Sequence, residues 1–385
     1  MSSLPRRQFL QQAGLAVVPL LGGGRLLAEQ PVAIGSRIVQ SRQPLNLEFP
    51  FGKLASFRTP TELFYVRNHY PIPKLDPRSY RLEVVGAVKR PLTLTLDDLQ
   101  KIKSRTLSVT MECAGNGRSL LHPPVKGVQW GTGGVSTGDY TGISLAAVLD
   151  LAGVQPGAVE VILDGADKGD PKKEIQPPYD ITFCRSLSLT KAQKPETMLA
   201  WGMNGKDLLP EHGFPLRAIV PGWYGMASVK WLTRIIVTRT PFNGFDQTID
   251  YGIWAKGEDG LPRLTPVTEM QVKSTIAGPV EGASVPAGKP VRIHGAAWAG
   301  EAEVERLEVS TDGGRTWALA KWIDASLPFC WRRWEYSWTP STAGRQTLKA
   351  RATDRLGRTQ PEKHDPARRS YMINFIAPVS VTVTA

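Results

Sequence analysis

The chain has 385 residues, with 47 basic and 35 acidic side chains and a formal net charge of +12. This length indicates two or three domains rather than one. The basic residues are scattered and form no dense Lys/Arg run, which excludes a nucleic-acid-binding arm and indicates a surface that tolerates anions. The three cysteines, Cys113, Cys184 and Cys330, are widely spaced, which excludes a disulfide framework and a C-x-x-C metal knuckle.

The first 28 residues have the features of an export signal. The run RRQFL at 6–10 precedes a short, glycine-interrupted apolar segment and resembles a twin-arginine signal, with cleavage expected after Ala28. That segment is too short to cross a bilayer, and no other stretch reaches the roughly 18 apolar residues that a spanning helix needs. We therefore expect a folded protein exported to the periplasm, with no membrane anchor after cleavage. The alternative is a basic, disordered N-terminus.

Residues 29–264 predict a mixed α+β domain with long loops. Alternating or β-branched runs at 80–86, 159–163 and 232–237 are typical of strands. Residues 96–99 and 145–152 predict short helices, the second with Ser144 as its N-cap and Gly153 at its end.

Residues 265–385 predict a second domain, an immunoglobulin-like β-sandwich. Short strands are expected at 291–295, 304–310, 317–322, 331–338 and 347–352, separated by turns. The tryptophans of this region are compatible with an exposed interface, although alternation along the strands would bury half of them: Trp317, Trp322, Trp331, Trp334 and Trp338.

Cys113 lies in a turn that favours chemistry over packing. Gly115 and Gly117 allow a bulky group to approach the backbone, and Arg118 would favour a thiolate in an exposed, positively charged turn. Such a thiolate is a nucleophile or a metal ligand, while a buried structural cysteine is the alternative. The histidines available as a base are His69, His122 and His212, and the residues themselves do not choose among these roles.

Five ordered motifs resemble the sulfite oxidase family of molybdopterin enzymes across about residues 40–385. The most specific is ECAGNGRS at 112–119, whose cysteine ligates molybdenum in that family. The others are FYVRNHYP at 64–71, VKGVQWG at 125–131, MNG at 203–205, and HGFPLR at 212–217 with PGWYG at 221–225 and VKWL at 229–232.

The resemblance implies a molybdenum–molybdopterin cofactor bound to the protein through Cys113 alone, because the pterin supplies the other sulfur ligands. Arg217 and Lys230 would bind the cofactor phosphate, and Asp167, placed after the strand at 159–163, would accept from pterin N–H groups. The full set of cofactor-binding residues implied by the family is Tyr65, Arg67, Asn68, His69, Asp167, His212, Arg217, Ser228, Val229 and Lys230.

The substrate side follows from the same resemblance and from the charge of sulfite. Arg67 and Arg118 would bind the dianion, Trp130 would form a wall, and Tyr251 would donate a hydrogen bond near the metal. Tyr251 could instead be a surface residue that makes ordinary hydrogen bonds. His122 could likewise be a loop residue and not a ligand.

One family feature is missing. Vertebrate members carry a substrate arginine in an Asn-x-Trp-His-Arg context near the C-terminus, whereas NFIAPV at 374–379 contains none. Arg332 or Arg333 would replace it, unless both face solvent from a strand. Cys184 and Cys330 are expected to be packed thiols.

The family implies periplasmic oxidation of sulfite to sulfate. Because the sequence contains no haem attachment motif, we expect no haem in this chain and an external c-type cytochrome as electron acceptor. The C-terminal domain would make a homodimer. A sulfane dehydrogenase acting on protein-bound sulfur is the close alternative, and a non-catalytic exported binding protein is the alternative from another class. The methionine sulfoxide reductase branch is disfavoured, because it typically has no such sandwich.

Overall fold

Strands account for most elements of the computed structural model, which describes residues 33–34, 36–172 and 177–385. The predicted export signal lies outside the described residues. All described residues fall in one compact unit. None of the helices in these ranges is long and apolar enough to cross a membrane.

The first part of the chain carries three short α-helices and fifteen strands within the described ranges. The helices are α1 (Leu96–Gln100), α2 (Leu145–Ala152) and α3 (Leu189–Ala192). The strands are β1 (Ala33–Ile34), β2 (Arg37–Arg42), β3 (Leu45–Glu48), β4 (Leu82–Gly86), β5 (Leu92–Leu94), β6 (Arg105–Glu112), β7 (Val135–Ser144), β8 (Glu160–Gly169), β9 (Ile181–Ser188), β10 (Met198–Met203), β11 (Lys206–Asp207), β12 (Arg217–Ile219), β13 (Leu232–Thr238), β14 (Gly252–Lys256) and β15 (Pro262–Pro266).

Two sheets form the frame of this part. One has the strand order β5-β4-β13-β8-β9, with β4 and β13 parallel and the other pairs antiparallel. The other has the order β11-β10-β7-β6, with β12 also paired to β10. Alternate side chains of β4, including Leu82 and Val84, are fully buried, as expected for a strand with one face on the core.

The helix ends differ in how they are capped. Thr95 and Asp98 form a reciprocal capping box at the start of α1. Ser144 precedes α2 as predicted, but its hydroxyl makes no capping hydrogen bond and has no partner in the described ranges. Gly153 ends α2 in the left-handed conformation, which glycine adopts without steric cost.

The C-terminal part is a sandwich of two sheets, and the predicted fold class is therefore confirmed. Its strands are β16 (Lys273–Gly278), β17 (Ser284–Pro286), β18 (Val291–Trp298), β19 (Val304–Ser310), β20 (Ala318–Leu319), β21 (Lys321–Trp322), β22 (Arg332–Trp338), β23 (Gly344–Asp354) and β24 (Val379–Thr384). The sheet orders are β16-β18-β22-β21 and β17-β24-β23-β19-β20. Ile293, Leu307, Trp334 and Leu348 lie in the core between the sheets.

Two details of the sandwich differ from the sequence prediction. The predicted strand at 317–322 is divided into β20 and β21, which pair with different sheets. Trp331 and Trp334 are fully buried and are therefore not interface residues of this chain. Trp331 packs instead against Phe51 of the first part, with ring centroids 6.3 Å apart. Trp331 precedes β22 and is three residues from Trp334, so alternation along β22 does not account for the burial of both side chains.

Candidate active site

A cavity opens between the two sheets of the first part of the chain. Loops 64–69, the end of β6, the region 211–231 and Tyr251 supply its walls. Every residue predicted to hold the cofactor lines this cavity, together with Cys113 and Tyr251.

The Cys113 thiol is buried rather than exposed, which corrects the sequence prediction. Cys113 follows directly on β6, and its backbone N–H donates to the Gly134 carbonyl at 2.8 Å, just before β7 begins. Asn116 donates back to the Cys113 carbonyl at 2.9 Å and so closes the turn. The side chain is 7% exposed and its surface is part of the cavity wall. The turn therefore presents the thiol inward, not to solvent.

The glycines around this turn make room for Arg118. A Cβ atom on Gly115 would overlap the Arg118 guanidinium, and one on Gly127 would lie 2.8 Å from it. The guanidinium donates to the carbonyls of Val128 at 2.8 Å and Ser370 at 3.2 Å. Arg118 is buried but does not line the cavity, so the bulky group that these glycines accommodate is the arginine itself.

The loop at 64–69 is attached to β3 by paired backbone bonds. Leu47 and Val66 exchange hydrogen bonds of 2.9 and 2.8 Å. The backbone N–H of Asn68 donates to the Asn46 side chain at 2.9 Å, and the Asn68 amide donates to the Leu45 carbonyl at 2.9 Å. These bonds fix the loop, so that the side chains of residues 65 and 67–69 extend into the cavity wall.

One region of the wall carries positive charge without a matching carboxylate. Arg217 is 3% exposed and donates to the carbonyls of His212 at 2.9 Å and Ser228 at 3.0 Å. No carboxylate in residues 33–34, 36–172 or 177–385 pairs with it. Burial lowers the pKa of Arg217, because a charge removed from water loses its hydration.

Lys230 and His212 lie in the same region. The Lys230 ammonium donates to the side chain of Asn68 and, at 2.9 Å, to the Glu211 carbonyl. Burial, with the nearby Arg217 charge, holds the pKa of Lys230 well below its ordinary value. Burial, followed by the nearby Lys230 and Arg217 charges, holds the pKa of His212 well below its ordinary value, and its Nε2 atom has no partner among the described residues. An anion bound here would offset these costs.

Asp167 is the buried carboxylate of the cavity wall. It lies within β8, at the irregularity of register between Asp164 and Lys168, and not after the strand as predicted. Burial raises the pKa of Asp167, and Lys230 partly offsets this effect. Its Oδ1 atom has no partner within the described part of the chain, so it is available to accept from a ligand N–H group.

Tyr251 connects the cavity with a buried aromatic cluster. It follows a π-helical turn, Phe245–Asp250, and its hydroxyl lies 2.6 Å from His69 Nε2. The Tyr371 ring is 5.0 Å from the Tyr251 ring, and the Tyr371 hydroxyl donates to Asp250 Oδ1 at 3.1 Å. Burial raises the pKa of Tyr251 well above its ordinary value, although Arg67 opposes the shift. The phenol therefore stays protonated near neutral pH.

Several other predicted residues lie away from the cavity wall. Trp130 is fully buried behind Tyr65, with ring centroids 6.2 Å apart and perpendicular rings. Arg333 pairs with Asp324 at 2.8 Å, and Arg332 stacks on Trp322 at 4.1 Å, so neither contributes to the cavity. His122 is outside the wall as well. Cys184 and Cys330 are partly buried, and burial raises the pKa of both thiols to about 12.

Sequence reasoning missed Arg369 and Tyr371, which lie near Tyr251. The guanidinium carbons of Arg118 and Arg369 lie 5.4 and 6.0 Å from the Tyr371 ring centroid. Arg369 donates to the carbonyl of Gly252 at 2.8 Å, which places a further guanidinium next to Tyr251. The arginine pair at 368–369 precedes NFIAPV by only a few residues, so a search slightly upstream of that run would have found it.

The cavity fits a cofactor that has an anionic end and a metal that binds sulfur. Its wall combines a cation pair, Arg217 and Lys230, and an imidazole without a partner for Nε2 within the described ranges. Phosphate groups require charge-assisted donors of this kind. The same wall contains the Cys113 thiol, and a soft thiolate suits a molybdenum-type metal.

Comparisons with known proteins agree with this arrangement. Residues 69–246 match the family described as oxidoreductase molybdopterin binding domain, and residues 265–383 match the Mo-co oxidoreductase dimerisation domain. Human mitochondrial sulfite oxidase is 36% identical across 91% of this chain, which spans 66% of the human protein. Sulfite oxidase of Gallus gallus is 36% identical, covering 85% of this chain and 73% of that protein. The crystal structure of the sulfane dehydrogenase SoxCD from Paracoccus pantotrophus aligns with a TM-score of 0.77 and 27% identity, covering 94% of this chain and 93% of that one.

Proposed function

Because the chain belongs to the sulfite oxidase family of molybdopterin oxidoreductases, we propose that it oxidises sulfite to sulfate in the periplasm. The observation that carries this proposal is one cavity whose wall contains a thiol, a guanidinium, a neutral phenol and an anion-binding region. Sulfite and water yield sulfate, two protons and two electrons, so the reaction requires an anion site, a proton path and an electron acceptor.

Bound in this cavity, the molybdenum–molybdopterin cofactor supplies oxygen-atom transfer to sulfur and holds the electrons that are released. Cys113 would provide the protein's sulfur ligand. Arg217, Lys230 and His212 would bind the phosphate, because they lie in one region of the wall, where two basic side chains are next to an imidazole whose Nε2 has no partner among the described residues. Asp167 would accept a hydrogen bond from the pterin through its free Oδ1.

Arg67 and Tyr251 are the residues best placed to receive sulfite. Both line the cavity along with Cys113. A guanidinium binds a dianion by paired charge-assisted hydrogen bonds. The Tyr251 phenol is held in its neutral form, so it donates a hydrogen bond to the anion without adding negative charge. His69, 2.6 Å from that hydroxyl, fixes its direction.

The electrons leave to a separate protein in this proposal. The sequence has no haem attachment motif, and a c-type cytochrome is the acceptor expected in the periplasm. The RRQFL run at 6–10 supports export of the folded, cofactor-loaded chain. The match of residues 265–383 to a dimerisation domain supports a homodimer.

A second candidate function is the oxidation of sulfur bound to a carrier protein. Its support is the similarity to SoxCD, a sulfane dehydrogenase, over nearly the whole of both chains. The two candidates share the cofactor and the cavity and differ in whether free sulfite is turned over.

One experiment tests these candidates. The protein is expressed in cells with a complete molybdenum cofactor pathway, its molybdenum is measured, and reduction of an artificial acceptor is followed with free sulfite. About one molybdenum per chain and rapid turnover would support sulfite oxidation. Full molybdenum with negligible turnover would favour carrier-bound sulfur. Less than about one molybdenum per ten chains would favour a non-catalytic binding protein.

A further inference from the structure

The carboxylate of Glu112, directly before Cys113, is enclosed by hydrogen-bond donors. Glu112 is 1% exposed. Its Oε1 atom accepts from the Lys273 ammonium at 2.9 Å and from the Asn116 amide at 3.0 Å. Its Oε2 atom accepts from the indole N–H of Trp298 at 2.8 Å. A buried carboxylate with this many donors is held in one position, because each lost bond would leave a charge unsatisfied.

Lys273 and Trp298 come from the sandwich, not from the domain that contains the cavity. They are directly opposite each other on the paired strands β16 and β18. Lys273 also donates to the backbone carbonyl of Asn116 at 2.9 Å. One cross-strand pair therefore contacts the Cys113 turn on both sides of the cysteine, at Glu112 and at Asn116.

The turn transmits this contact to the thiol through its own bonds. Asn116 donates to the Cys113 carbonyl at 2.9 Å, and its side-chain oxygen accepts from Gly134 N–H at 3.0 Å. Gly134 in turn accepts from Cys113 N–H at 2.8 Å. Fixing Glu112 and Asn116 thus fixes the backbone on each side of Cys113, and with it the direction of the Cβ–Sγ bond.

We infer that Lys273 and Trp298 are positioning residues, through which the sandwich sets the place of the Cys113 thiol in the cavity. The inference rests on the proposed function only in taking that thiol as the metal's ligand. It gives the C-terminal domain a part in building the metal site besides any role in assembly. Removal of either donor would leave the Glu112 carboxylate buried with too few partners, and the turn would open more often.

The first test uses the full chain without cofactor, so it does not depend on molybdenum. The rate at which iodoacetamide alkylates Cys113 is followed by peptide mass spectrometry in Lys273→Met and Trp298→Phe. Trp298→Phe keeps an aromatic ring and removes only the N–H donor, so it is the milder variant. Cys113 is only 7% exposed, at the cavity wall, so a turn that opens more often should expose the thiol further. We therefore expect alkylation about tenfold faster or more in Lys273→Met, with a smaller increase in Trp298→Phe.

Lys191→Met is the matched control. Lys191 is as buried as Lys273 and also joins the two parts of the chain, through Glu301 at 2.8 Å, but its bonds are to Pro221 and Glu301 rather than to the Cys113 turn. Its alkylation rate should stay within about twofold of the wild type. Unchanged rates in both test variants would overturn the inference, as would an equal increase in Lys191→Met, which would indicate general loosening.

The second test uses the holoenzyme and a spectroscopic readout. The Mo(V) paramagnetic resonance signal reports the metal–thiolate geometry, so its g-values should shift in Lys273→Met and Trp298→Phe, and Lys273→Arg should restore them at least in part. Lys191→Met should leave them unchanged. If the wild-type protein binds no molybdenum, the proposed function is refuted, but the alkylation test can still be carried out. If the proteins contain molybdenum but both variants keep the wild-type g-values and alkylation rates, the inference is refuted and the proposed function is not.

Discussion

The Nε2 atom of His69 lies 2.6 Å from the hydroxyl oxygen of Tyr251, although 182 residues separate them. The His69 ring also stacks on Phe183 with centroids 4.2 Å apart, so its orientation is fixed by packing. These two contacts therefore fix the direction of the Tyr251 hydroxyl in the cavity wall. This pair links the loop at 64–69 with the π-helical turn that precedes Tyr251.

We expect Tyr251→Phe to keep the fold and to lose turnover with sulfite. The ring still packs against Tyr371, but the cavity loses a neutral donor, and the loss of such a donor at a reacting anion typically costs about 100-fold in kcat. Steady-state kinetics with an artificial acceptor measure this. Tyr371→Phe is the control, because the Tyr371 hydroxyl bonds to Asp250 and does not line the cavity. Equal kinetics in the two variants would contradict a direct role for Tyr251.

The two predicted substrate arginines should differ in their effect on KM. Arg67 lines the cavity, whereas the Arg118 guanidinium donates to Val128 and Ser370 and acts on the anion through its charge. Arg67→Met should raise the sulfite KM about 10- to 100-fold, the cost of one charge-assisted hydrogen bond. Arg118→Met should raise it less and should lower the melting temperature more. An unchanged KM in Arg67→Met would move the substrate site elsewhere.

Lys230→Met should weaken retention of the cofactor. The low pKa of Lys230 reflects burial beside Arg217, and a phosphate dianion would supply the missing negative charge. We expect pterin to be released about tenfold faster or more from the variant, as followed by the fluorescence of the oxidised pterin. Lys206→Met, at an exposed lysine that begins β11, is the control. Equal release from both proteins would exclude Lys230 as a phosphate partner.

Cys113→Ser should leave the fold intact and abolish turnover. A hydroxyl occupies nearly the same space as the thiol but is a harder, poorer ligand for this metal. Turnover within about tenfold of the wild type, a barrier change of about 1.4 kcal/mol, would argue against the ligand role. Cys184→Ser and Cys330→Ser serve as controls, since neither thiol lines the cavity.

Asp246 should make the stability of the chain depend on pH. Burial raises the pKa of Asp246 from 3.8 to about 8, with Asp250 adding to the effect and Arg185 opposing it. Between about pH 4 and 8 the folded state binds more protons than the unfolded state, so stability falls as pH rises through this window and then levels off. Asp246→Asn has no carboxyl group to titrate, so it does not lose this stability. The free energy of unfolding of the variant minus that of the wild type should therefore rise by a few kcal/mol from pH 5 to 8, at about 1.4 kcal/mol per pKa unit.

Melting temperatures of the two proteins across this pH range measure the effect. Asp259→Asn, at an exposed carboxylate paired with Arg263, controls for the loss of one surface charge. Parallel pH profiles for wild type and Asp246→Asn would show that Asp246 titrates normally in the folded state.

The family resemblance implied which chain segments meet at the cavity, whereas the residues alone left the role of Cys113 open. Residues 65–69, Cys113 and 212–230, which the resemblance grouped around one cofactor, all contribute to the cavity wall. Local sequence likewise predicted β4, β13 and β19, because alternation at 80–86, a β-branched run at 232–237 and the turns that bound 304–310 are local properties.

Other features depended on contacts between distant residues. Local sequence predicted an exposed turn at Cys113, but the paired strands β16 and β18 lie against it and bury it. Trp331 and Trp334 are three residues apart, so strand alternation could not bury both on one face; Trp331 packs on Phe51, and Trp334 lies in the core of the sandwich. The sequence alone therefore determined the residue types and the periodicity of the elements. Only the tertiary structure decided that Lys273 and Trp298 satisfy Glu112, because a buried charge takes its partners from whichever residues the packing brings within hydrogen-bond distance.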